Sequence, residues 1–407
     1  MSTSTSRSPM LSLEEALERL LSGVRPFTEQ ERLPTAEALG RVLAEDLVSP
    51  LDVPPLANSS MDGYAVRVAD VPAAGTELQV AQRIAAGQVG TVLQPGTAAR
   101  IFTGAPVPEG ADAIVMQEQC EALEGGRVRI HAVPQPRQWI REQGEDVRRG
   151  SVVLARGRRL KPQDIGLAAT VGAASVAVVR RPRVALFSTG DELVMPGEPL
   201  RPGAIYNSNR YTLRALLAQF GCECTDLGIV PDTLEATREA LRSAAAGHDL
   251  ILTSGGVSVG EEDHIKPAVQ AEGQLDLWQI AIKPGKPLAF GRVREAWFIG
   301  LPGNPVSSFI TFLLAVRPFL LALQGADPAM PRPWAVPAAF DWPKADKRRE
   351  FLRVRRTADG RVELFPNQSS GVLTSTVWAD GVVDNPPGQT VAAGDVVRFI
   401  PFAEWMQ

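Results

Sequence analysis

The spacing of apolar residues changes along the chain and separates it into segments with different predicted structures. Between Leu13 and Leu21, apolar residues recur at the spacing of one helical face. Just before them, Ser12 and Glu15 form a capping box, in which each side chain can satisfy the other residue's backbone N–H group. The pattern therefore predicts an amphipathic helix near the N-terminus, and we expect a second helix at Thr35–Leu43.

From Val53 to Val133 the helical spacing disappears, and short β-branched runs alternate with glycine and proline. Such a texture predicts a small β-domain. Its predicted strands lie at Leu78–Val80, Thr97–Ile101, Ala113–Val115 and Val128–Ile130. The next segment, Gln143–Val179, mixes turns with one predicted helix near Pro162–Thr170 and one predicted strand near Ser175–Val179.

The segment Arg183–Gln324 alternates strands with helices. Strands are predicted at Val184–Phe187 and Leu250–Leu252, and helices at Tyr211–Phe220 and Asp232–Ala246. This alternation is typical of a parallel sheet that binds ligands at the C-terminal ends of its strands. A proline-rich linker, Pro331–Pro337, then leads into a tail of short strands and turns, which predicts a second small β-domain.

Composition narrows the class of protein without naming a function. A chain of 407 residues is too long for one ordinary hydrophobic core, so several domains are expected. The net charge of −4 gives no reason to expect a nucleic-acid partner. Cys222 and Cys224 have no second cysteine pair and no nearby histidine, so reduced thiols are favoured over a zinc site. The N-terminus lacks an apolar signal segment, and Arg317-Pro318 interrupts the apolar run near Phe309–Leu323, so we expect a cytoplasmic protein without a membrane span.

The segment Leu252–Asp263 carries the strongest chemical signal. An apolar strand breaks into a glycine-rich turn, which leaves backbone N–H groups free to hold an anion. The acids at its far end, Asp263 above all, suit a divalent metal such as magnesium, which binds through a few carboxylates and the phosphates of a substrate. The segment therefore predicts a phosphate-binding loop beside a metal site.

Two further acids are expected at the same edge of the parallel sheet. Glu192 lies in Ser188–Leu193, directly after a predicted strand, and is a metal or general-base candidate unless the loop is only solvated. Asp232 begins a predicted helix and pairs with Glu235 in a second capping box, so a purely structural capping role is the alternative.

Positive charge and rigid turns supply candidates for oxyanion binding. Lys283 and Lys286 lie on a turn stiffened by proline and glycine, which suits an oxyanion because the ammonium groups are held in place. The turn Leu301–Ser308 precedes an apolar helix whose N-terminus can attract an anion. In the tail, Arg353 and the hydroxyl-rich stretch Asn367–Ser375 could add phosphate contacts, although the surrounding arginines are also typical of a solvated face.

Two motifs in the first β-domain are ambiguous on composition alone. Asp62 lies in Ser60–Ala65, and Asp-Gly is a common turn pair. Thr103 lies before a glycine in Ile101–Pro108, where its hydroxyl could meet an anion or simply belong to a turn.

In chain order, six of these segments resemble motifs of the MoeA family, the molybdopterin molybdenumtransferases, to which the E domain of gephyrin also belongs. The matching segments are Ser60–Ala65, Thr103–Pro106, Ser188–Leu193, Thr253–Gly260, Lys283–Pro287 and Leu301–Pro305. Together they span almost the whole chain, and their shared order is more specific than any single motif.

The resemblance implies a multidomain α/β plus β fold. Its central MogA-like α/β domain has a mostly parallel sheet, a small β-domain is inserted near the N-terminus, and the C-terminal domain is like a β-barrel. The implied division is a discontinuous helical and dimerisation domain at 8–50 and 141–180, the small β-domain at 51–140, the molybdopterin-binding α/β domain at 181–328 and the C-terminal domain at 329–407.

The resemblance also implies a magnesium-dependent enzyme that inserts molybdate into adenylylated molybdopterin, releases AMP and forms molybdenum cofactor. Its active site is expected in a cleft between the central domain and parts of the partner subunit of a homodimer. A MogA-type adenylyltransferase and molybdoenzyme apoproteins are expected as transient partners, without nucleic acid or membrane.

Residue by residue, the resemblance assigns three groups of positions. The catalytic positions are Asp62, Thr103, Glu192, Asp232, Asp263 and Lys283. The substrate-binding positions are Ser254, Gly255, Gly256, Ser258, Gly260, Lys286, Pro302, Pro305, Arg353 and Ser375. The metal ligands are Glu192, Asp232 and Asp263. This chain departs from some relatives at Trp278-Gln279, where they carry a further lysine, and therefore offers fewer positive charges to molybdate.

Two alternative functions are a molybdopterin adenylyltransferase, which would use the same α/β domain, and a non-catalytic scaffold like gephyrin's E domain. The additional β-domains and the Met61-Asp62-Gly63-Tyr64 motif argue against the adenylyltransferase. The retained acids Asp62, Glu192, Asp232 and Asp263 argue against a scaffold that needs no catalysis.

Overall fold

The computed structural model describes residues 10–256 and 264–406. Its N-terminal segment contains one helix and three short strands: α1 Leu13–Ser22, β1 Gln30–Pro34, β2 Leu47–Val48 and β3 Asn58–Ser59. The predicted capping box begins α1: Glu15 N donates to Ser12 Oγ at 3.1 Å, and Ser12 N donates to the Glu15 carboxylate at 2.7 Å. The predicted first helix is therefore confirmed.

The second helix expected at Thr35–Leu43 is wrong. Only a single 3₁₀ turn forms there, at Thr35–Glu37. Gly40 then adopts a left-handed backbone with φ of +76°, which ends any helical continuation. Val42 and Leu43 instead form β-bridges with Arg159 and Val178, so pairing with a distant segment overrides the local apolar spacing.

The small β-domain contains the predicted strands. Its strands are β4 Gly63–Val66, β5 Thr76–Ile84, β6 Thr97–Ile101, β7 Ala113–Met116, β8 Cys120–Leu123 and β9 Arg127–Ile130. They form one sheet in the order β7-β4-β6-β5-β9-β8. Because side chains alternate along each strand, the sheet buries apolar residues on both faces, with Val66, Ala98 and Val115 on one side and Ala65, Ala99 and Ile114 on the other.

After this sheet the chain returns to its N-terminal segment. The returning elements are β10 Ile140–Arg141, β11 Val152–Leu154, α2 Pro162–Thr170 and β12 Ser175–Val179. Each returning strand pairs antiparallel with one of the first three strands: β12 with β1, β11 with β2 and β10 with β3. This pairing agrees with a β-domain inserted into a discontinuous domain, whose exact boundaries stay predictions.

The central segment is a doubly covered α/β sheet. Its strands are β13 Arg183–Thr189, β14 Leu193–Val194, β15 Ile205–Tyr206, β16 Glu223–Val230, β17 Leu250–Ser254, β18 Gly273–Gln279, β19 Ile282–Lys283, β20 Pro287–Val293 and β21 Ala296–Leu301. Its first three helices are α3 Ser208–Gln219, α4 Leu234–Ala245 and α5 Ile265–Glu272. The main sheet has the order β16-β13-β17-β21-β20-β18. Its first four strands pair in parallel, and β20 runs antiparallel to both of its neighbours, β21 and β18. The prediction of a mostly parallel sheet is confirmed.

One face of the central sheet packs against a long apolar helical segment. It consists of α6 Pro305–Thr311, a π-helical stretch at Phe312–Val316 and α7 Arg317–Leu323. These 19 residues are long and apolar enough to cross a membrane, but 89% of the most apolar window is buried inside the protein, so the segment serves as a core helix. The helical segment continues through Arg317-Pro318, the pair that interrupts the apolar run in the sequence.

The C-terminal domain is a small barrel. Its elements are β22 Trp334–Pro337, β23 Arg349–Arg356, β24 Val362–Leu364, α8 Thr374–Trp378, β25 Gly381–Asn385, β26 Val396–Pro401 and α9 Phe402–Trp405. Its own strands pair in the order β22-β26-β25-β23-β24. Ala338, directly after β22, forms a bridge with Val362 at the start of β24, which brings the first and last strands of that order together. The predicted fold class is thereby confirmed, and β19 of the central segment joins this barrel by pairing with β23.

Candidate functional site

The four parallel strands of the central sheet end at one common edge. Thr189 of β13 lies opposite Val230 of β16, and Ser254 of β17 lies opposite Leu301 of β21. Ser188 of β13 also pairs with Ser254, so all four strand ends are in register. The loops that follow them therefore start side by side, as expected for a ligand-binding edge.

Glycines let the backbones of two of these loops, after β17 and after β21, approach closely. Gly255 and Gly256 have φ of +91° and +66°, a left-handed backbone that glycine adopts at little cost. Gly255 N donates to Leu301 O at 3.0 Å, and a Cβ added to Gly303 would lie 3.6 Å from Gly255 Cα. The described part of the predicted phosphate loop thus presents backbone rather than side chains, while Ser258, Gly260 and Asp263 lie outside the described residues.

Glu192 and Asp232, the two predicted acids of this edge that the structure describes, follow neighbouring strands. Glu192 is exposed in the loop after β13, and its carbonyl accepts a hydrogen bond from Ile205 N at 2.8 Å. Asp232 is half-buried after β16. The alternative that Asp232 caps a helix is wrong, because Thr233 occupies the cap position of α4 and its hydroxyl accepts from Ala236 N at 3.3 Å.

The start of α6 also lies at this edge, but not all of its first-turn backbone N–H groups are free to bind a ligand. Pro305 stands in the first turn of α6 and has no N–H group to offer. Val306 N donates to Ser370 O of the C-terminal domain at 3.0 Å. Asn209 of α3 donates through Nδ2 to Gly303 O at 2.7 Å, which ties the Pro302–Gly303 loop to a second helix.

The lysine turn packs directly on α6. A Cβ added to Gly285, which has φ of +106°, would lie 2.3 Å from Thr311 Oγ1, so only glycine allows this approach. Lys283 Nζ donates to Glu350 Oε1 at 2.9 Å and lies 3.4 Å from Asp346 Oδ2. Lys286 is half-buried and makes no side-chain ion pair with any residue in the described ranges. Of the two lysines predicted to bind an oxyanion, Lys283 is therefore already paired with carboxylates and Lys286 is not paired within the described ranges.

Sequence reasoning missed Glu350 and Asp346 as partners of Lys283. Glu350 is only 1% exposed and also accepts a hydrogen bond from Trp342 Nε1 at 2.8 Å. Hydrogen bonds from Arg348 hold the pKa of Asp346 far below its usual range. The sequence contained one indication of this pairing: Glu350 directly precedes the apolar pair Phe351-Leu352. A carboxylate in a buried strand is costly unless a positive charge or hydrogen-bond donor pairs with it.

Arg353 and Ser375 contact each other inside the C-terminal domain. Arg353 is 1% exposed, and its Nε donates to Ser375 Oγ at 3.2 Å. Its two terminal nitrogens donate to the carbonyls of Phe351 and Ser369. Burial lowers the pKa of Arg353 to about 10. The structure thus brings the two predicted residues together, but it uses the guanidinium within the protein, and their role toward a substrate stays a prediction.

Asp62 and Thr103 form a separate pair on the small β-domain. Asp62 Oδ1 accepts hydrogen bonds from both the backbone N and the Oγ1 of Thr103, each at 2.8 Å. These bonds lower the pKa of Asp62, and the nearby positive charge of Arg100 adds to the effect. Within the described ranges, no hydrogen bond or ion pair joins this pair to the central domain.

Known family models match three consecutive parts of this chain. Residues 11–172 match the MoeA N-terminal region (domains I and II), residues 185–322 match a probable molybdopterin binding domain, and residues 335–402 match the MoeA C-terminal region (domain IV). This chain belongs to the MoeA family.

Individual relatives are similar over nearly the full length of the chain. A molybdopterin molybdenumtransferase of Haemophilus influenzae is 41% identical over 97% of this chain and 99% of its own length. One from Nostoc is 38% identical over 87% of this chain and 84% of its own. The crystal structure of a MoeA protein from Pyrococcus horikoshii is 30% identical and covers 96% of this chain with a TM-score of 0.83. The predicted MoeA membership is confirmed, as is the prediction of a transferase in molybdenum cofactor biosynthesis.

Proposed function

We propose that this MoeA-family enzyme inserts molybdate into adenylylated molybdopterin, releases AMP and forms molybdenum cofactor. The observation that carries the proposal is the common edge of β13, β16, β17 and β21, where the glycine backbone loop after β17 starts beside the loops after β13 and β16 that carry Glu192 and Asp232. A phosphate-bearing pterin suits this edge because backbone N–H groups and helix N-termini bind anions without a charged side chain.

Different residues of the chain would bind the two oxyanions of the reaction, the pterin phosphate and molybdate. Ser254, Gly255 and Gly256 would hold the phosphate of the pterin. Lys286 faces no described carboxylate partner, so its charge is available to molybdate, whereas Lys283 is already paired with Glu350. Charge-assisted hydrogen bonds of this kind are about twice as strong as neutral ones.

Magnesium fits the acids of the edge. Within residues 10–256 and 264–406, no group of three or more His, Cys, Asp or Glu side chains stands ready to hold a metal ion. Magnesium commonly binds through one or two carboxylates plus waters and substrate phosphates, so Glu192 and Asp232 would suffice together with the substrate, with Asp263 as a third predicted ligand. When bound, the ion would neutralise charge on the phosphoanhydride.

We further propose that the active site is completed by a second copy of the chain. Asp62 and Thr103 are positions that the resemblance assigns to catalysis, yet in one chain they form no hydrogen bond or ion pair with the central domain in the described ranges. A homodimer that brings the Asp62–Thr103 pair of one subunit to the central edge of the other would unite both groups. Transient partners would be a MogA-type adenylyltransferase and apo-molybdoenzymes in the cytoplasm.

The proposal is tested by AMP release from purified full-length protein. We expect AMP only when adenylylated molybdopterin, molybdate and magnesium are all present, and no ATP consumption with molybdopterin alone. Glu192→Gln should reduce AMP release by at least about a hundredfold if this acid acts in the reaction. The matched control Glu198→Gln changes another exposed glutamate, in the loop after β14, and should leave the rate unchanged.

Absence of AMP release with all three components would refute the proposed reaction. ATP-dependent adenylylation of molybdopterin would replace it with the adenylyltransferase function.

A further inference from the structure

A row of arginine and aromatic side chains crosses the small β-domain beside Asp62. Tyr64 of β4 lies directly opposite Arg100 of β6, and Arg100 lies directly opposite Arg83 of β5. Directly opposite residues on paired strands point to the same face of a sheet. Phe102 follows Arg100 by two residues and therefore points to that face as well. The row thus places two guanidinium groups among two aromatic rings.

The arginines stack on the rings rather than pairing with acids. Arg83 Cζ lies 4.5 Å from the centre of the Phe102 ring, and Arg100 Cζ lies 4.6 Å from the same ring and 5.2 Å from that of Tyr64. In the described parts of the chain neither guanidinium forms an ion pair with a carboxylate. Arg83 is exposed, and its side chain has no hydrogen-bond partner there.

The neighbouring strand shows how arginines on this sheet are otherwise compensated. Arg127 lies 2.7 Å from Glu77, and Arg129 contacts both Glu77 and Glu121 at 2.8 and 2.7 Å. The positive charge of Arg83 and Arg100 is therefore a local feature of one end of the sheet.

That end of the sheet is the one that carries the Asp62–Thr103 pair. Asp62 directly precedes β4, and Thr103 follows the end of β6 by two residues. Arg100 is fixed there, because its Nη1 donates to Gly63 O at 2.8 Å and its Nη2 to Gln117 Oε1 at 2.6 Å. Arg83 and Arg100 therefore lie at the same end of the sheet as the Asp62 carboxylate, and neither is paired with it.

We infer that Arg83, held beside Arg100 by the Phe102 ring, binds a phosphoryl oxyanion of the nucleotide part of the substrate next to Asp62. An arginine stacked on an aromatic face keeps its N–H edge free for the fork-like contact that phosphate accepts. Stacking also restricts the long side chain before the ligand arrives, which reduces the entropic cost of binding. The inference rests on the proposed function, which supplies the nucleotide-bearing substrate.

The test measures AMP binding to the full-length protein by calorimetry, without molybdopterin, so that it does not depend on turnover. Arg83→Gln should weaken AMP binding by about tenfold, because one charge-assisted contact is lost. Arg127→Gln removes the same charge from the same sheet and should change the AMP affinity by less than about twofold. Molybdate, titrated separately, should bind both variants and the wild type equally.

Two results would overturn the inference: equal AMP affinity in the wild type and Arg83→Gln, or a loss limited to molybdate binding. If the AMP affinity is equal but Arg83→Gln has a lower melting temperature, Arg83 only stabilises the sheet. Whether the proposed reaction occurs is measured separately, as AMP release by the wild type. A negative result there would not affect the measurement of AMP binding.

Discussion

The separation of Asp62 and Glu192 predicts a specific outcome for mixed dimers. Asp62→Asn removes the carboxylate of the small β-domain but leaves an oxygen that can accept from Thr103, and Glu192→Gln neutralises the acid of the central edge. If each active site takes Asp62 from one subunit and Glu192 from the other, a dimer with one copy of each variant has one doubly substituted site and one site without substitution. Each pure variant dimer has two impaired sites.

The expected magnitude follows from two-fold symmetry. Random association of equal amounts gives mixed dimers in about half of the population, each with one of two sites intact, so AMP release should recover to about one quarter of the wild-type rate. Mixed dimers isolated with two different affinity tags should reach about one half. The assay is initial-rate AMP release at saturating molybdate and magnesium.

A matched pairing controls for nonspecific recovery. Asp62→Asn mixed with Thr103→Ala places both changes on the same side of the interface, since Asp62 Oδ1 and Thr103 Oγ1 are 2.8 Å apart in one chain. Every site of such a mixed dimer then carries one substitution, and no recovery is expected. Isolated Asp62→Asn/Glu192→Gln dimers that are no more active than the pure variants would refute the shared site and place both acids in one chain's site.

Three further predictions concern stability. Thr233→Ala removes the hydroxyl that caps α4 and should lower the free energy of unfolding by about 1 kcal/mol in urea, whereas Thr233→Ser should retain the cap; equal losses would contradict the capping assignment. Burial raises the pKa of Asp249, but hydrogen bonds from neighbouring arginine residues outweigh burial and leave the pKa below its usual value. The ionised carboxylate therefore stabilises the fold fully above its unfolded-state pKa of about 3.9. This stabilisation is lost as the pH falls through the folded-state pKa. Asp249→Asn should therefore cost about 2 kcal/mol at pH 7 and progressively less below pH 4; a pH-independent difference would show that its charge is irrelevant. A Cβ at Gly63 would lie 2.0 Å from Val115 O, a backbone atom, so Gly63→Ala should cost at least about 2 kcal/mol, and an unchanged melting temperature would show that the sheet can open there.

Local patterns were sufficient wherever a segment's structure depends on its own residues. The predicted helix at Pro162–Thr170 and the strand at Ser175–Val179 match the structure at both ends. The capping box of α1 formed as predicted because its donors and acceptors are three residues apart. Where a distant segment competes, local spacing failed: residues 42–43 pair with residues 159 and 178 instead of forming a helix.

In the candidate site too, features set by local sequence were predictable and features set by distant segments were not. The C-terminal edge of the parallel strands was predictable, because strand–helix alternation places those loops together whatever their composition. The pairing of Lys283 with Glu350 was not, since 67 residues separate them and only the docking of β19 onto β23 brings them into contact. The row of Arg83 and Arg100 was equally hidden, because it depends on which strands are neighbours in the sheet rather than on any motif along the chain.

The pairing of Lys283 also changes which lysine should control oxyanion affinity. Its ammonium group contacts Glu350 at 2.9 Å and lies 3.4 Å from Asp346, a carboxylate that it shares with Arg348, so its positive charge is already compensated. A second anion at Lys283 would have to compete with both. Lys286 has no such partner in the described ranges. If the proposed reaction is correct, the charge of this turn that is available to molybdate therefore rests mainly on Lys286, while Lys283 joins the turn to the C-terminal barrel.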